Sequence, residues 1–575
     1  MGRGRKEPTG HGIRSNGALW LGAMLATAGL FSGCAGQART TGTGSDRAGQ
    51  TGPAPERTIV IAFRNESTDL AAKIPNAVSS GQKELFNAYL IGRDHQNAPQ
   101  PFLAEALPQL NTDTWRVYPD GKMDTTYRLK PGLTWHDGQP LTADDLVFAW
   151  MAYSDKGLGV FSPKPQDLIE DVIALDSRTV VIHWRALYGE ADVLTDGFPP
   201  LPRHILGQAF ADYQQDPTAR EALLKRPFWT TEWVGLGPYR LDRWEPGYAL
   251  YADAFPGYVF GRPKIDHVIA RIFGDENTVL TNMLSDEVQL ATVTTLRFEN
   301  GMVLRREWGS RGTVFYDPTV NPQHAVVQFR PEYQKTPGLL DVRVRKALNH
   351  AIDRQALQDG LFDGEGVVSH SPVSPLEPFY PELDRTITKY EYDPRKTEVF
   401  MNEAGFFKDS QGYFVDGLGQ RFRPDFQVLA GPIFERHQTI MQNTWSRAGI
   451  ETVGATLSLA QQRDLINRST FPGLGQRGAA NYTVEQIGTP ENRWTGANLG
   501  GYTNPDYEAL WAAFNTTLER AERDRLQVQM AKLASEQLPG FMLYFNTNGI
   551  SYVAALHGPQ FTNIFWSVHA WEFRQ

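Results

Sequence analysis

The sequence has a single cysteine, Cys34, in 575 residues. No disulfide can form within the chain, so a fold held by covalent staples is excluded. There is no excess of positive charge either. The 56 Lys and Arg stand against 65 Asp and Glu, a net of −9, which argues against a nucleic-acid protein with its basic stripe. No apolar run reaches the roughly 18 residues of a membrane-spanning helix. Catalytic motifs are also missing: there is no G-x-S-x-G elbow, no H-E-x-x-H and no Walker A sequence. The twelve histidines are scattered without metal-ligand spacing. Gly473-Leu474-Gly475-Gln476-Arg477-Gly478 does satisfy G-x-G-x-x-G. It follows Thr470-Phe471-Pro472 rather than a strand and leads into no helical pattern, so it reads as a flexible loop. No catalytic residue, metal or cofactor is expected.

What is present begins with an export signal. Arg3, Arg5, Lys6 and Arg14 form a positive region, and Ala18 to Phe31 is an apolar stretch of about 14 residues, right for a signal peptide. Phe31-Ser32-Gly33-Cys34 then resembles a bacterial lipobox, which implies cleavage after residue 33 and lipidation of Cys34. Residues 1–33 carry four basic groups and one acid, so their removal leaves a chain of about −12. Residues 34–56, rich in Gly, Thr and Ala, read as a flexible tether. The rest is too long for one core, so two or three domains are expected.

Tyr127 to Trp150, YRLKPGLTWHDGQPLTADDLVFAW, is the most structured stretch. Tyr127 and Leu129 alternate as in a strand, Pro131-Gly132 breaks it, and His136-Asp137-Gly138 supplies a turn. Thr142, three residues ahead of Asp145, opens a helix in a capping-box pattern. This segment resembles the signature of the family 5 solute-binding proteins, the extracytoplasmic receptors of peptide and nickel ABC importers. Leu129, Gly132, Trp135, His136, Asp137, Gly138, Pro140, Leu141, Thr142, Ala143, Asp145 and Phe148 match in register. Three further stretches are similar: Leu201-Pro202-Arg203-His204-Ile205-Leu206, Val234 to Leu241 (VGLGPYRL), and Asp341 to Arg354 (DVRVRKALNHAIDR).

The remaining chain reads as mixed α/β. Thr58–Phe63 is a β-branched run and a buried strand; Thr179–Trp184 and 266–272 alternate as strands. Val344, Ala347, Leu348, Ala351 and Ile352 share one helical face. Asp393-Pro394 starts a helix that Gly405 closes, and Leu526, Met530, Leu533 and Ala534 line another that ends at Pro539-Gly540. The resemblance implies a two-lobe hinged periplasmic-binding-protein fold of class II (cluster C) type with an additional inserted domain. Its expected layout is lobe I in 57–79 and 191–318, the insertion in 80–190, lobe II in 319–538, and a return to lobe I in 539–575.

The resemblance also implies a function: a monomeric, lipid-anchored receptor that captures a small solute or peptide between its lobes and hands it to an ABC permease. It would work in the periplasmic space or on the outer face of the cell membrane. Candidate ligand-binding residues are Asn65 and Glu66 after the first strand, Tyr316, and Tyr482, Glu485, Arg493, Trp494, Asn498 and Tyr502. Peptide-binding relatives carry an aspartate near this last group that pairs with the ligand's amino group. The matching window here has none, and Glu485 is the available substitute. Trp494 and Tyr502 serve equally well as aromatic platforms or as packing under a loop, and Arg64 to Ser67 equally well as an ordinary turn. An oligosaccharide or metal chelate competes with a peptide as ligand. A surface hydrolase using paired carboxylates and an adhesion or scaffold lipoprotein are the rivals from other classes.

Overall fold

The computed structural model describes residues 57–574 except 74–80, 96, 159–164, 195–196, 294, 318–320, 479–486, 488, 492–493, 495, 497 and 561–563. Cys34 and the 34–56 stretch lie outside the described residues, as do Tyr482, Glu485 and Arg493.

Thr58–Phe63 forms the expected strand, with Ile59, Ile61 and Ala62 fully buried. It runs parallel to His267–Ile272 on one side and Leu290–Ala291 on the other. Parallel strands of this kind are covered on both faces as well as along their edges, which is why the sequence is an unbroken apolar run. Ala249–Ala254 and Tyr239–Glu245 extend the sheet beyond His267–Ile272, and Asn548–Val553 and Gly312–Asp317 complete seven strands at the other side. A second sheet has six strands in the order Val367–Val368, Gly540–Phe545, Pro322–Val327, Leu474–Gly478, Asp425–Leu429, Val453–Leu457. Each sheet is the centre of one lobe.

The chain passes between the sheets twice, from Asp317 to Pro322 and from Phe545 to Asn548. The passes are neighbours: the Asn546 N–H donates to the Asn321 carbonyl at 3.0 Å. Pairing also continues on either side, Asp317 opposite Asn548 and Pro322 opposite Phe545. Asn321 sits at φ 55°, in a region Asn tolerates better than most residues.

Three expectations are corrected. The return to the first lobe comes later than residue 539, because Gly540–Phe545 pairs with Pro322–Val327 in the second sheet and the first sheet is re-entered at Asn548. The glycine-rich 473–478 stretch is a central strand, not a flexible loop. Leu474–Gly478 is held between Pro322–Val327 and Asp425–Leu429, and ladder bonds on both sides outweigh its poor β-propensity. The 341–354 helix is two helices, Val342–His350 and Arg354–Phe362. Asp353 accepts the Ala356 N–H at 3.0 Å and restarts the second, so all five expected core residues remain fully buried across the break.

A four-stranded antiparallel sheet (Trp115–Val117, Met123–Arg128, Thr179–Trp184, Ile169–Ala174) occupies the region expected as the insertion. The signature residues fasten this body to the first lobe. Asp145, on the helix Ala143–Ser154, is buried. Its carboxylate accepts the Thr142 N–H at 3.0 Å, the Trp135 indole N–H at 3.4 Å and the Arg203 N–H at 3.0 Å. One side chain thus gathers two helix starts and an indole. Asp137 meets His204 at 2.8 Å. His136, also buried, takes the Gly235 N–H on Nδ1 and faces the Gly237 carbonyl with Nε2, both at 3.1 Å. Those partners call for a neutral ring protonated on Nε2, and burial pushes its pKa down to about 4. A Cβ on Gly235 would lie 2.1 Å from the Phe86 carbonyl oxygen, and one on Gly237 2.3 Å from its carbon. Glycine is required there because two backbones touch.

Candidate functional site

Strand directions locate the site. In the first sheet Asp317 and Asn548 stand at the crossover. Asn548–Val553 is antiparallel to Leu290–Ala291, so Ala291 ends at that edge, as do the parallel strands ending at Phe63 and Ile272. In the second sheet Gln323 lies opposite Gly478. Leu474–Gly478 therefore ends at the crossover edge, together with the parallel strands ending at Leu429 and Leu457. Both lobes thus turn the carboxyl ends of their parallel strands toward the same crossover. Ligands of open α/β sheets collect at such ends, and here two sets of them face the same crossover.

On the first-lobe edge the chain leaves Phe63 through Arg64 to Ser67. Arg64 Nη1 is shielded from solvent and has no hydrogen-bond partner among the described residues. Asn65 is exposed, and its carbonyl accepts from Gln82 at 3.0 Å. Glu66 is already engaged: it accepts the Trp244 indole N–H at 2.7 Å and the Gly247 N–H at 2.9 Å. Thr292 and Thr295 both donate to the Ala62 carbonyl at 3.2 Å and close the edge behind the first strand. The helix Phe298–Trp308 follows, its start tied by Arg297 to Glu276 at 2.9 Å. Tyr316 lies beneath it, its hydroxyl donating to the Phe298 carbonyl at 3.1 Å and its ring 5.0 Å from the Arg305 guanidinium. Burial pushes this phenol's pKa up.

The lobes touch at two places. Arg305 Nη1 reaches both oxygens of Glu365, at 2.6 and 2.8 Å, and Arg436 meets Glu299 at 3.3 Å. Phe298 packs edge-on against Phe362 with ring centres 5.7 Å apart. A second set of contacts joins the 189–192 turn to the start of the helix Arg520–Gln537. Arg520 pairs with Asp192 at 3.3 Å, and Arg523 donates to the Gly189 carbonyl at 2.6 Å and approaches Glu190 at 3.4 Å. Asn97 donates to Glu377 at 3.3 Å beside them. A cavity of about 370 Å³ lies among these groups.

The remaining expected residues sit elsewhere. Asn498 and Tyr502 clamp one loop, with the Asn498 amide donating to the Tyr502 carbonyl at 2.7 Å and accepting the Tyr502 N–H at 3.0 Å. The Phe329 N–H donates to the Gly500 carbonyl at 2.7 Å, just past the end of Pro322–Val327. This loop is therefore at the edge away from the crossover, a strand length of roughly 17–20 Å distant. Trp494, at φ 61°, packs near Tyr333 and Arg330 at the same end. The structure brings Trp494, Asn498 and Tyr502 together and does not bring them to Asn65, Glu66 or Tyr316. Arg64 and the Arg305–Glu365 pair were missed by sequence reasoning. Arg64 carried a signal, a charged residue directly after a buried strand; Arg305 and Glu365 are 60 residues apart and carried none.

Among the described residues no group of three or more His, Cys, Asp or Glu side chains is arranged to hold a metal, and no helix is long and apolar enough to cross a membrane.

The sequence model of the bacterial extracellular solute-binding proteins, family 5, matches residues 105–486, two thirds of the chain. The protein belongs to this family. This family 5 protein is 23% identical over 564 residues to the oligopeptide-binding protein AppA of Bacillus subtilis, covering 95% of its own length and 96% of AppA. It is 23% identical over 474 residues to the dipeptide-binding protein of Escherichia coli, covering 77% of its own length and 81% of that protein. The solved structure of B. subtilis AppA in complex with a nonapeptide superposes with a TM-score of 0.67 at 20% identity, covering 91% of this chain and all of AppA. NikZ of Campylobacter jejuni in complex with Ni(L-His) superposes with a TM-score of 0.69 at 20% identity, covering 90% of this chain and all of NikZ. These likenesses establish the two-lobe fold for this family 5 protein.

Proposed function

We propose that this protein is the receptor of an ABC importer, capturing a peptide or similar polar solute in the interlobe cleft and delivering it to the membrane permease. The observation that carries the reading is the meeting of two sets of parallel-strand ends at a double crossover, in a member of an extracellular solute-binding family. A solute there touches both lobes at once. Only a ligand with greater affinity for the closed arrangement can shift the equilibrium toward it, and contact with both walls supplies that difference. The peptide reading is favoured by the names of the curated relatives AppA and the dipeptide-binding protein. The nickel chelate bound by NikZ is the second reading.

In this reading lobe I comprises the first sheet, the 80–190 insertion moves with it through the His136 and Asp145 contacts, and lobe II comprises the second sheet. Lipidation of Cys34 would hold the body at a membrane surface, and the 34–56 stretch would let it reach the permease. The chain would act as a monomer that leaves its ligand chemically unchanged. Titration calorimetry against di- to nonapeptides and against nickel–histidine tests the assignment. Peptide binding without cleavage is expected. Tight binding of nickel–histidine with no response to any peptide would replace the peptide reading, and hydrolysis of a bound peptide would overturn the receptor reading.

A further inference from the structure

The two places where the lobes touch differ in kind. At the first, Arg305 and Glu365 are 39% and 38% exposed, and ion pairs this wet are worth little. The second, between the 189–192 turn and the start of the helix Arg520–Gln537, is drier. Asp192, which pairs with Arg520, and Arg523, which approaches Glu190, each have side chains only 15% exposed. The turn follows the strand Thr179–Trp184, and the helix runs into Gly540–Phe545 of the second sheet.

Both halves of this joint are held from their own side. Tyr188 packs on the fully buried Trp184 with ring centres 5.1 Å apart, and the buried Tyr127 donates its hydroxyl to the Ala191 carbonyl. The Ala191 and Val193 N–H groups donate to the Tyr188 and Glu190 carbonyls at 3.2 and 3.1 Å. Across the joint the Arg523 guanidinium lies 4.5 Å from the centre of the Phe514 ring, a cation–π contact that steadies it. From there Nη1 donates to the Gly189 carbonyl at 2.6 Å.

Gly189 is the point of closest approach. A Cβ there would stand 2.7 Å from the Thr517 carbonyl oxygen and 2.8 Å from the Arg523 guanidinium carbon, both across the joint. Its backbone is not in the left-handed region, so its own conformation does not demand glycine; the approach of the other lobe does. Gly235 and Gly237 differ, because their close contacts are with Phe86 on the first-lobe side. Alanine at 189 is therefore acceptable to parted lobes and unacceptable to joined ones.

We propose that this joint is a latch: it holds the two lobes together without help from a solute, and position 189 is glycine so that the latch can shut. This rests on the receptor reading and adds a step to it. Each bond runs directly from one side to the other, so it forms whether or not a solute is present. The balance between joined and parted lobes is thus set first by the latch, and a solute biases it from there. Entry of a solute requires the latch to open.

Small-angle scattering of the full chain, dialysed free of solute, reads the parted fraction as a larger radius of gyration. Gly189→Ala pushes a methyl into the Thr517 carbonyl, and Arg523→Gln removes the bond to Gly189. Each should raise the ratio of parted to joined molecules about tenfold, with a melting temperature close to wild type. Gly237→Ala should do the reverse, lowering the melting temperature and leaving the radius unchanged. If Gly189→Ala lowers the melting temperature without enlarging the molecule, the glycine serves ordinary packing and the latch is overturned. Wild-type protein that is parted when empty, and joins only on addition of a dipeptide, would also overturn the latch and leave the receptor reading standing. Wild-type protein that binds none of the di- to nonapeptides and no nickel–histidine would defeat the receptor reading, and the latch as a part of it.

Discussion

Replacing His136 by Gln measures how much the joint between the signature segment and the Val234 to Leu241 motif contributes. The imidazole accepts one backbone N–H and faces one carbonyl, and the Gln amide can restore only part of this. Leaving one buried group unsatisfied costs about 1–3 kcal/mol at neutral pH. The pH dependence is the sharper readout. The folded-state pKa is about 4 against 6.5 for an unperturbed imidazole, so the folded protein favours the neutral ring. Above pH 6.5 the ring is neutral in both states and nothing is lost. As pH falls from there toward 4 the unfolded chain takes up a proton that the folded one refuses, and stability drops by about 3 kcal/mol. Below pH 4 the loss is complete. His324 and His437, held down to about 3, and His370, held down to about 4, titrate in the same direction. They do so in wild type and variant alike and cancel in the difference. Urea unfolding of both proteins at pH 7, 6, 5 and 4 should therefore show the wild type losing about 3 kcal/mol more than the variant toward acid, so that the gap closes or changes sign. A gap that stays constant, or widens, refutes the account of His136.

Three further outcomes are expected. Gly237→Ala drives a methyl to 2.3 Å from the Phe86 carbonyl carbon, and because backbone cannot yield, it should cost about 1–3 kcal/mol; a melting temperature equal to wild type would refute the close-contact argument. Asp393→Ala removes a carboxylate that accepts the Arg395 and Lys396 N–H groups at 2.9 and 3.1 Å, a helix cap worth about 1 kcal/mol, readable as a lower urea midpoint. Arg305→Gln breaks an interlobe pair whose side chains are 39% and 38% exposed. Discounted for solvent screening, it should favour opening by at most about 1 kcal/mol, seen by small-angle scattering of the ligand-free protein as a larger radius of gyration, with high salt erasing the difference from wild type.

The fold was largely legible because its elements announce themselves locally. The enclosed first strand reads as an apolar run, the Ala143–Ser154 helix as a capping pattern, and Asp393-Pro394 as a helix start. The signature residues could be recognised without their purpose being visible. Trp135, His136 and Asp145 look like candidates for chemistry, and only the contacts with Gly235, Gly237 and Arg203 show that they join two bodies. The strand at Leu474–Gly478 was illegible for the opposite reason: Gly, Gln, Arg and Gly carry no strand pattern, and their conformation is imposed by neighbours more than forty residues away in sequence. The site was least legible. Glu66 looked available and is taken by a tryptophan and a backbone amide, whereas Arg305 and Glu365 gain meaning only when the lobes bring them together. Whether a side chain is matched is a property of the assembled lobes, and no window of sequence contains it.

The double crossover also governs how the molecule can be made. The strand Asn548–Val553 slots between Leu290–Ala291 and Gly312–Asp317, so the first sheet stays split until almost the last residues of the chain arrive. A polypeptide emerging from its amino terminus can assemble most of the second lobe before it can close the first. Removing the residues from 546 onward would therefore not trim a tail; it would take an interior strand out of the first sheet.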